Sequence, residues 1–313
     1  MSLKVIKAGI LDSIQDSGRT GYRQYGINLS GSMDVFSGRK ANILAGNNPE
    51  DAVIELHFPA SIFEFTSPAS FVLSGADFAA VIDDQFVHND QLNFARENSI
   101  LRFVSYKKGA RGYLSISGAL KIDNWLDSKS TNFKAGIGGY HGRRLLKDDI
   151  IPFNNSVSKY EHRTLGEITG LEESGELFVL PGNEWDWVSE KGKKTFLNSD
   201  FAISSKSDRM GYSLTGPAIA KVNPEELTSS PVCFGTIQLL PDGNLIVLMA
   251  DHQTTGGYPR IANIISAHHK ALAQKRPGDT ITFKLTDIGT AEKLKMEEVN
   301  ILLNLIQQTT SED

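Results

Sequence analysis

The feature that most constrains this chain is a succession of short β-rich runs, each closed by glycine, proline, asparagine or aspartate. "SIFEF", "SFVLSG", "AAVID", "SILRFVSY", "GYLSISG", "ELFVLPG", "FAISS", "GTIQLL", "NLIVLMA" and "TITFKL" follow one another in this way. Runs of this length, rich in β-branched and aromatic residues and bounded by turn formers, pack as strands of sandwiches or barrels. With 313 residues, 40% of them hydrophobic, the chain can bury a large core, and its length points to two domains.

Three stretches read as helices. The segment 33–46 has apolar residues at helical spacing and stops at Gly46. The segment 267–276 has Ser266 as its cap and Pro277 as its stop. The segment 291–308 follows Thr290 and carries acids near its start. A weak repeat links "ENSILRF" (97–103), "KDDIIPF" (147–153) and "PGDTITF" (277–283), each placing polar turn residues before a short run that ends in Phe. Recurring hairpins produce such a pattern, and so do two similar barrels built in tandem. The polar stretch 156–175 reads as a linker or long excursion, and the tail from Gln308 as frayed.

Charge and cysteine content narrow the partners. Thirty-two basic against 37 acidic residues leave a net charge of −5 with no dense basic block, which argues against nucleic acid and against an anionic membrane. A single cysteine excludes an internal disulfide and a multi-cysteine metal site. That residue, Cys233, has apolar neighbours and reads as a buried structural thiol. No signal-peptide run opens the sequence and no segment approaches ~18 consecutive apolar residues, so a soluble cytoplasmic protein is expected. His268 and His269 would diverge by about 100° on a helix. His57, His88, His162 and His252 are isolated in sequence, so no metal site is expected.

Polar glycine-bearing loops carry the candidate chemistry. "SSKSDRMGYSLTGP" (204–217) is a solvated hairpin loop or, with Asp208 orienting it, a place where Arg209 offers its planar fork to a carboxylate, carboxamide or phosphate. "SGSMDVFSGRKANILAGN" (30–47) opens a helix whose first N–H groups could receive an anion, or which Ser32 or Asp34 simply caps. Upstream, "IQDSGRTGY" sets Asp16 and Arg19 in glycine-rich backbone. "GIGGYHGRRLLKDD" (136–149), with His141, Arg143 and Arg144, lacks the spacing of a phosphate loop and reads as a mobile loop able to close over a ligand. "DHQTTGGYP" (251–259) follows the apolar run "LIVLMA", where an ordinary turn would do.

Together, "SIQDSGRTGYRQYGINLSGSMD", "ANILAGNNPEDAVIE", "GYLSISGAL…WLDSKST", "SDRMGYSLTGP", "GTIQLLPDGNLIVLMADHQTTGGYPRIA" and "PGDTITF" resemble, in order, the biotin-dependent carboxyltransferase (allophanate hydrolase subunit 2) family. The resemblance runs from residue 3 to residue 285 and is closest to the 5-oxoprolinase branch. It implies a mainly β fold of tandem cyclophilin-like β-barrels with a few helices. The first barrel region would span 1–105 and the second 106–290, with strands free to interleave, followed by a C-terminal helix and tail over 291–313.

The resemblance also implies partners: a PxpB/KipI-like sister subunit and a PxpA-like subunit. ATP with Mg would be used at the level of the complex, no biotin would be attached to this chain, and the isolated chain would be inactive. The activity implied is ATP-driven opening of the 5-oxoproline lactam to L-glutamate. The same architecture also serves carboxyl transfer from carboxybiotin to urea or a related amide. A KipA-type regulator instead binds a KipI-like kinase inhibitor.

Both reactions require a resonance-stabilised amide held flat, with donors on its oxygen and an acceptor on its nitrogen. On the matching motifs the resemblance implies Asp208, Arg209 and Asp251 as catalytic residues. Arg209 and the backbone of Gly256-Gly257 would donate, and Asp208 and Asp251 would accept. Met210, Tyr212, Gln238, Thr254, Thr255 and Tyr258 would complete the substrate shell, with Ser30, Met33, Asp34 and Arg19 from the N-terminal motif. Ser213 stands where the family commonly has a basic residue, which weakens any anion contact there.

Overall fold

The computed structural model describes residues 1–154, 175–223 and 225–310. Among these the chain divides into two compact units, the first holding 1–19, 30–154 and 300–310, the second 20–29, 175–223 and 225–299. The fold is mainly β, as the sequence predicts.

The strands of the first unit are β1 (Ser2–Lys7), β2 (Ser13–Gln15), β3 (Val53–Leu56), β4 (Ile62–Phe65), β5 (Ala69–Asp77), β6 (Ala80–Ile82), β7 (Gln85–Phe86), β8 (Leu92–Ala95), β9 (Ile100–Phe103), β10 (Lys108–Ile116) and β11 (Ile150–Pro152). They form two sheets, in the orders β11-β1-β4-β9-β6-β7 and β2-β3-β10-β5-β8. Alternate residues of both sheets, among them Leu3, Val5, Phe63, Phe65, Phe71, Leu73 and Leu114, meet in one core. Helix α1 (Val35–Leu44) covers the outer face of the second sheet, where Ala41 and Leu44 pack with Val53, Val72 and Tyr113. With both faces covered, β5 is buried along most of its length rather than on alternate residues.

The expected boundary at 105 does not coincide with the division between the units. Strand β10, which follows it, pairs with β3 and β5 and is central to the first unit's second sheet. The two-sheet core closes only when that strand is included. Conversely, residues 20–29 belong with the second unit.

The second unit contains β12 (Glu176–Pro181), α2 (Glu190–Asn198), β13 (Phe201–Ile203), β14 (Gly211–Thr215), β15 (Ser230–Pro231), β16 (Thr236–Leu239), β17 (Leu245–Leu248), β18 (Thr255–Gly256), β19 (Arg260–Ile264), α3 (His269–Ala273) and β20 (Thr280–Leu285). A closed barrel runs β12-β19-β16-β17-β14-β13-β20, with β20 returning parallel to β12. In register, Tyr212 and Leu214 of β14 face Val247 and Leu245 of β17, and all four are buried. Closure leaves the barrel no free edge. Strands β15 and β18 make a separate two-stranded ribbon.

The helices show where local signals suffice. Asp34 caps α1 through Ser37, and Gly46 (φ 76°) ends it. Its amide reaches the Ile43 carbonyl and that of Asn47 the Asn42 carbonyl, a complete Schellman stop. Ser266 makes no side-chain cap; the predicted 267–276 helix is a short 3-10 turn, Ser266–His268, followed by α3. The last helix, α4 (Ile288–Thr310), begins before residue 291, because Asp287 rather than Thr290 caps it, accepting from the Thr290 amide and hydroxyl. It runs to Thr310, so residues 308–310 of the tail that reads as frayed are helical. Helix α2 is absent from the sequence reading: it buries only Gly192 and Phe196, too little for an apolar stripe. Its signal is Ser189, which caps the Gly192 amide, followed by Glu190 in the first turn. Phe196 then stacks on Phe283 of β20 at 4.6 Å. All of the proposed linker except Gly175 lies outside the described residues, as does His162.

The weak repeat corresponds to one shared turn. Asn98, Asp148 and Gly278 each adopt positive φ (64°, 70° and 92°). In each case the next side chain, Ser99, Asp149 or Asp279, accepts from the amide three residues before it, at 3.0, 2.7 and 2.7 Å. The same pairs of residues close the backbone bond of a type II turn. Strands β9 and β11 in the first unit and β20 in the second all start from this turn.

Candidate functional site

Two loops of the second unit, one before β14 and one after β17, are fixed side by side by their backbones. The Asp251 amide donates to the Arg209 carbonyl (2.7 Å) and the Met249 amide to that of Met210 (3.1 Å). Strands β14 and β17 are neighbours in the barrel, so the loops at their ends must meet. The side chains complete the join. Arg209 donates from Nε to Asp251 Oδ2 (2.9 Å) and from Nη2 to Oδ1 (3.2 Å), a two-point pair in which both partners are more than nine-tenths buried. Planar fork and carboxylate match in shape, which fixes the guanidinium plane.

Asp208 does not orient Arg209, contrary to expectation. Its Oδ1 accepts from the amides of Met210 (2.7 Å) and Gly211 (3.2 Å), a local turn role. Tyr212 points into the barrel, opposite Val247, and its hydroxyl donates to the Lys275 carbonyl (3.4 Å). Its side chain is a wall residue rather than part of an open substrate shell.

The 251–258 loop is held from several sides. Asn28 donates from Nδ2 to the Asp251 carbonyl (3.0 Å), and Arg23 donates from Nη2 to the Val232 and Thr254 carbonyls. Gly256 pairs with Ser230 in the β15–β18 ribbon, so its backbone is committed there. A Cβ at Gly256 would lie 2.5 Å from Gln238 Nε2, which shows how closely the buried Gln238 amide approaches. That amide donates to the Tyr258 carbonyl (3.4 Å). Thr255, Gly257 and Tyr258 are exposed and Thr254 is half-buried.

His252, Asn28, Arg23 and the pair Glu184–Arg260 are absent from the predicted site. His252 is buried; burial foremost, with Arg23 nearby, depresses its pKa against the raising effect of the Gln253 carbonyl and Asp251. Arg260 grips Glu184 at 2.9 and 2.7 Å and donates to the Pro231 carbonyl (3.0 Å), anchoring the ribbon. Burial raises the Glu184 pKa, but the hydrogen bonds and charge of Arg260 outweigh it and leave the carboxyl below its ordinary value. Seventy-six residues separate these two, so no local pattern announces them.

In the first unit the N-terminal motif supplies structure. Asp16 accepts from the Gly18 amide (2.7 Å), the Lys129 amide (2.5 Å) and the hydroxyls of Ser128 and Ser130. Arg19 is fully buried, 4.9 Å over the Trp125 ring, and its Nη2 donates to the Ser130 carbonyl at 2.5 Å. The two amides just before α1 are taken up by side chains of the same unit. Met33 donates to Glu55 Oε2 (2.8 Å) and Asp34 to the Tyr113 hydroxyl (2.8 Å), while the Asp34 carboxylate caps Ser37. Asp34 thus caps the third amide of the helix. Ser30 is buried in left-handed backbone, φ 54°.

Several contacts tie the 136–149 loop to the rest of the first unit. Arg143 pairs at two points with Asp149 (2.7 and 2.8 Å), Arg144 donates to the Ile10 carbonyl (3.0 Å), and the Leu145 amide reaches the Asp12 carbonyl (2.8 Å). Cys233 is exposed, not buried, because it lies in the turn that leads into β16. Among the described residues no three His, Cys, Asp or Glu side chains are grouped to hold a metal ion, and no helix is long and apolar enough to cross a membrane.

A mainly β chain with this paired-loop site belongs to the carboxyltransferase domain family, subdomains A and B, which it matches over residues 25–285. It is 35% identical to the 5-oxoprolinase C subunit of Haemophilus influenzae, over 96% of both chains, and 34% identical to that of Escherichia coli, over 95% of both. The structure resembles the urea amidolyase of Kluyveromyces lactis with a TM-score of 0.90 at 27% identity; that likeness covers 97% of this chain and 20% of the other.

Proposed function

We propose that this chain is the C subunit of an ATP-dependent 5-oxoprolinase. It would act in the cytoplasm with a PxpB/KipI-like sister subunit and a PxpA-like subunit, activating 5-oxoproline for lactam cleavage to L-glutamate. The observation that most supports this is the end-to-end match to two 5-oxoprolinase C subunits, extending over 95–96% of each partner. The yeast urea amidolyases match as much of this chain at 24% identity, but it spans only 17% of their length.

Within this reading, Arg209 donates to the lactam oxygen as negative charge builds there, and Asp251 holds the guanidinium in plane. Both groups are removed from water, where a pre-oriented donor stabilises developing charge most strongly. The described residues lack a cation-holding cluster and a phosphate loop. No step is assigned to a magnesium nucleotide, and ATP would be used at the level of the complex.

Purification of the chain with its sister subunits, followed by measurement of 5-oxoproline-dependent ADP release, tests the proposal. Turnover by the complex and none by this chain alone is the expected result. The second reading, a carboxyltransferase component for urea or a related amide, draws on the fold likeness to urea amidolyase. Carboxylation of urea with carboxybiotin, without turnover of 5-oxoproline, would establish it instead.

A further inference from the structure

5-Oxoproline differs from urea, and from a plain lactam, by carrying a carboxylate. Recognising that group takes a cation with no acid already bound to it. In the second unit Arg209 and Arg260 each meet a carboxylate at two points, Asp251 and Glu184, so the folded chain balances their charges itself. Arg23 is placed differently.

Arg23 opens the 3-10 turn Arg23–Tyr25, inside the motif "RTGYRQYGINLSGSMD". Its Nη2 donates to the Val232 carbonyl and to that of Thr254 (3.5 Å). Among the described residues its Nε and Nη1 have no hydrogen-bond partner and its charge has no carboxylate. The residue is half-buried, so it is not sealed from solvent. The two carbonyls that hold it lie at one end of the β15–β18 ribbon, where the Val232 amide also donates to the Thr254 carbonyl (3.2 Å). The guanidinium is thereby fixed in advance, and a ligand need not pay to order it. The segment that carries Arg23 (20–29) and the two it bonds to (228–233 and 252–258) contain no aspartate or glutamate. Gln253 and Thr255, which can donate without charge, are exposed beside it.

We propose that Arg23 binds the carboxylate of the substrate through the guanidinium N–H groups that the ribbon does not hold. It would thereby select an anionic lactam over a neutral amide. This inference rests on the 5-oxoprolinase reading above, since urea has no carboxylate to place.

The test uses the assembled complex and two compounds, 5-oxoproline and its neutral isostere 5-oxopyrrolidine-2-carboxamide, compared by competition in the ADP-release assay. Wild-type complex should bind the carboxamide about 10–100-fold more weakly than the acid. Arg23→Gln keeps a donor for the ribbon carbonyls and removes the charge. It should raise KM for 5-oxoproline about 10–100-fold, leave KM for ATP unchanged, and bring acid and carboxamide within about threefold of each other. Arg23→Lys, which restores the charge, should recover part of the preference. A role confined to holding the ribbon would weaken both compounds alike and leave their ratio unmoved.

Wild-type complex that binds the carboxamide as tightly as the acid overturns the inference without any variant. So does an assembled Arg23→Gln complex that retains the wild-type preference; Arg23→Met reads the same ratio should the Gln variant not assemble. A rise in KM for ATP in place of 5-oxoproline would assign the guanidinium to a phosphate and overturns it too. Absence of any 5-oxoproline-dependent ADP release by wild-type complex overturns the functional reading itself, a result visible before any variant is made.

Discussion

Arg209 and Asp251 stand 42 residues apart and meet in a two-point ion pair, with side chains 4% and 7% exposed. The pair joins the loop before β14 to the loop after β17, and backbone bonds beside it make that join rigid. Removing one partner deprives the other's buried charge of this two-point pairing. Arg209→Met or Asp251→Leu alone should each cost about 3–5 kcal/mol in urea unfolding. The double variant should recover part of that stability, because neither charge of this pair then remains buried. It should still assemble with its sister subunit and fail to turn over 5-oxoproline. Urea denaturation beside an ADP-release assay separates the two effects.

The adjacent glycines of the 251–258 loop should respond differently to alanine. A Cβ at Gly256 would meet Gln238 Nε2 at 2.5 Å, and Gln238 is buried, so the amide must leave the Tyr258 carbonyl. Gly256→Ala should cost about 1–3 kcal/mol and lower turnover. A Cβ at Gly257 meets nothing closer than 3.4 Å. Gly257→Ala should stay within about 0.5 kcal/mol of wild type. Thermal denaturation of the two variants makes the comparison; equal losses would refute the distinction.

Much of this was legible in the sequence because it is written locally. Strands bounded by turn formers, the Asp34 cap and the Gly46 stop are all set by neighbouring residues. So is the location of the candidate loops, carried by "SDRMGY" and "DHQTTGGYP". What could not be read is pairing at a distance. Asp208 is next to Arg209 and looks like its partner, yet an aspartate bonds most readily to the amides just after it. The true partner comes from another strand end. Arg19 has a ligand-binding composition, but only the fold places Trp125 beneath it. Burial of His252 likewise follows from the closure of loops around it, which no spacing rule records.

The shared turn before β9, β11 and β20 offers a backbone test. Gly278 has φ 92°, and a Cβ added there would meet nothing within 4 Å, so Gly278→Ala isolates the conformational cost. A loss of about 1 kcal/mol is expected. Asn98→Gly and Asp148→Gly, at the equivalent positions, should be neutral or stabilising by a few tenths of a kcal/mol, since relief of the left-handed strain is partly offset by glycine's unfolded-state entropy. Thermal melts of the three variants check the order. Stabilisation by Gly278→Ala would show that the turn is not held in this conformation in solution.

The two units should respond to acid with opposite signs. In the first, burial raises the pKa of Asp12 to about 6, despite hydrogen bonds from Ser61 and His57 that favour its charge. The folded state then holds a proton that the unfolded state has released, so this contribution is fully present below about pH 4 and is lost as pH rises through 6. In the second, burial lowers the pKa of His269 to about 4, which outweighs the Ile264 carbonyl. Here the unfolded state takes up a proton that the folded state refuses. The contribution is present above about pH 6.5 and is lost as pH falls towards 4, at about 1.4 kcal/mol for each tenfold difference in proton affinity between the two states. Hydrogen exchange between pH 4.5 and 6.5, corrected for intrinsic rates, should show protection of β3 and β4 rising and that of β16 and β19 falling as the solution is acidified. Asp12→Asn should flatten the first trend and His269→Leu the second. If both units lose protection together in wild type and neither variant changes its own trend, the two buried groups do not set the acid response.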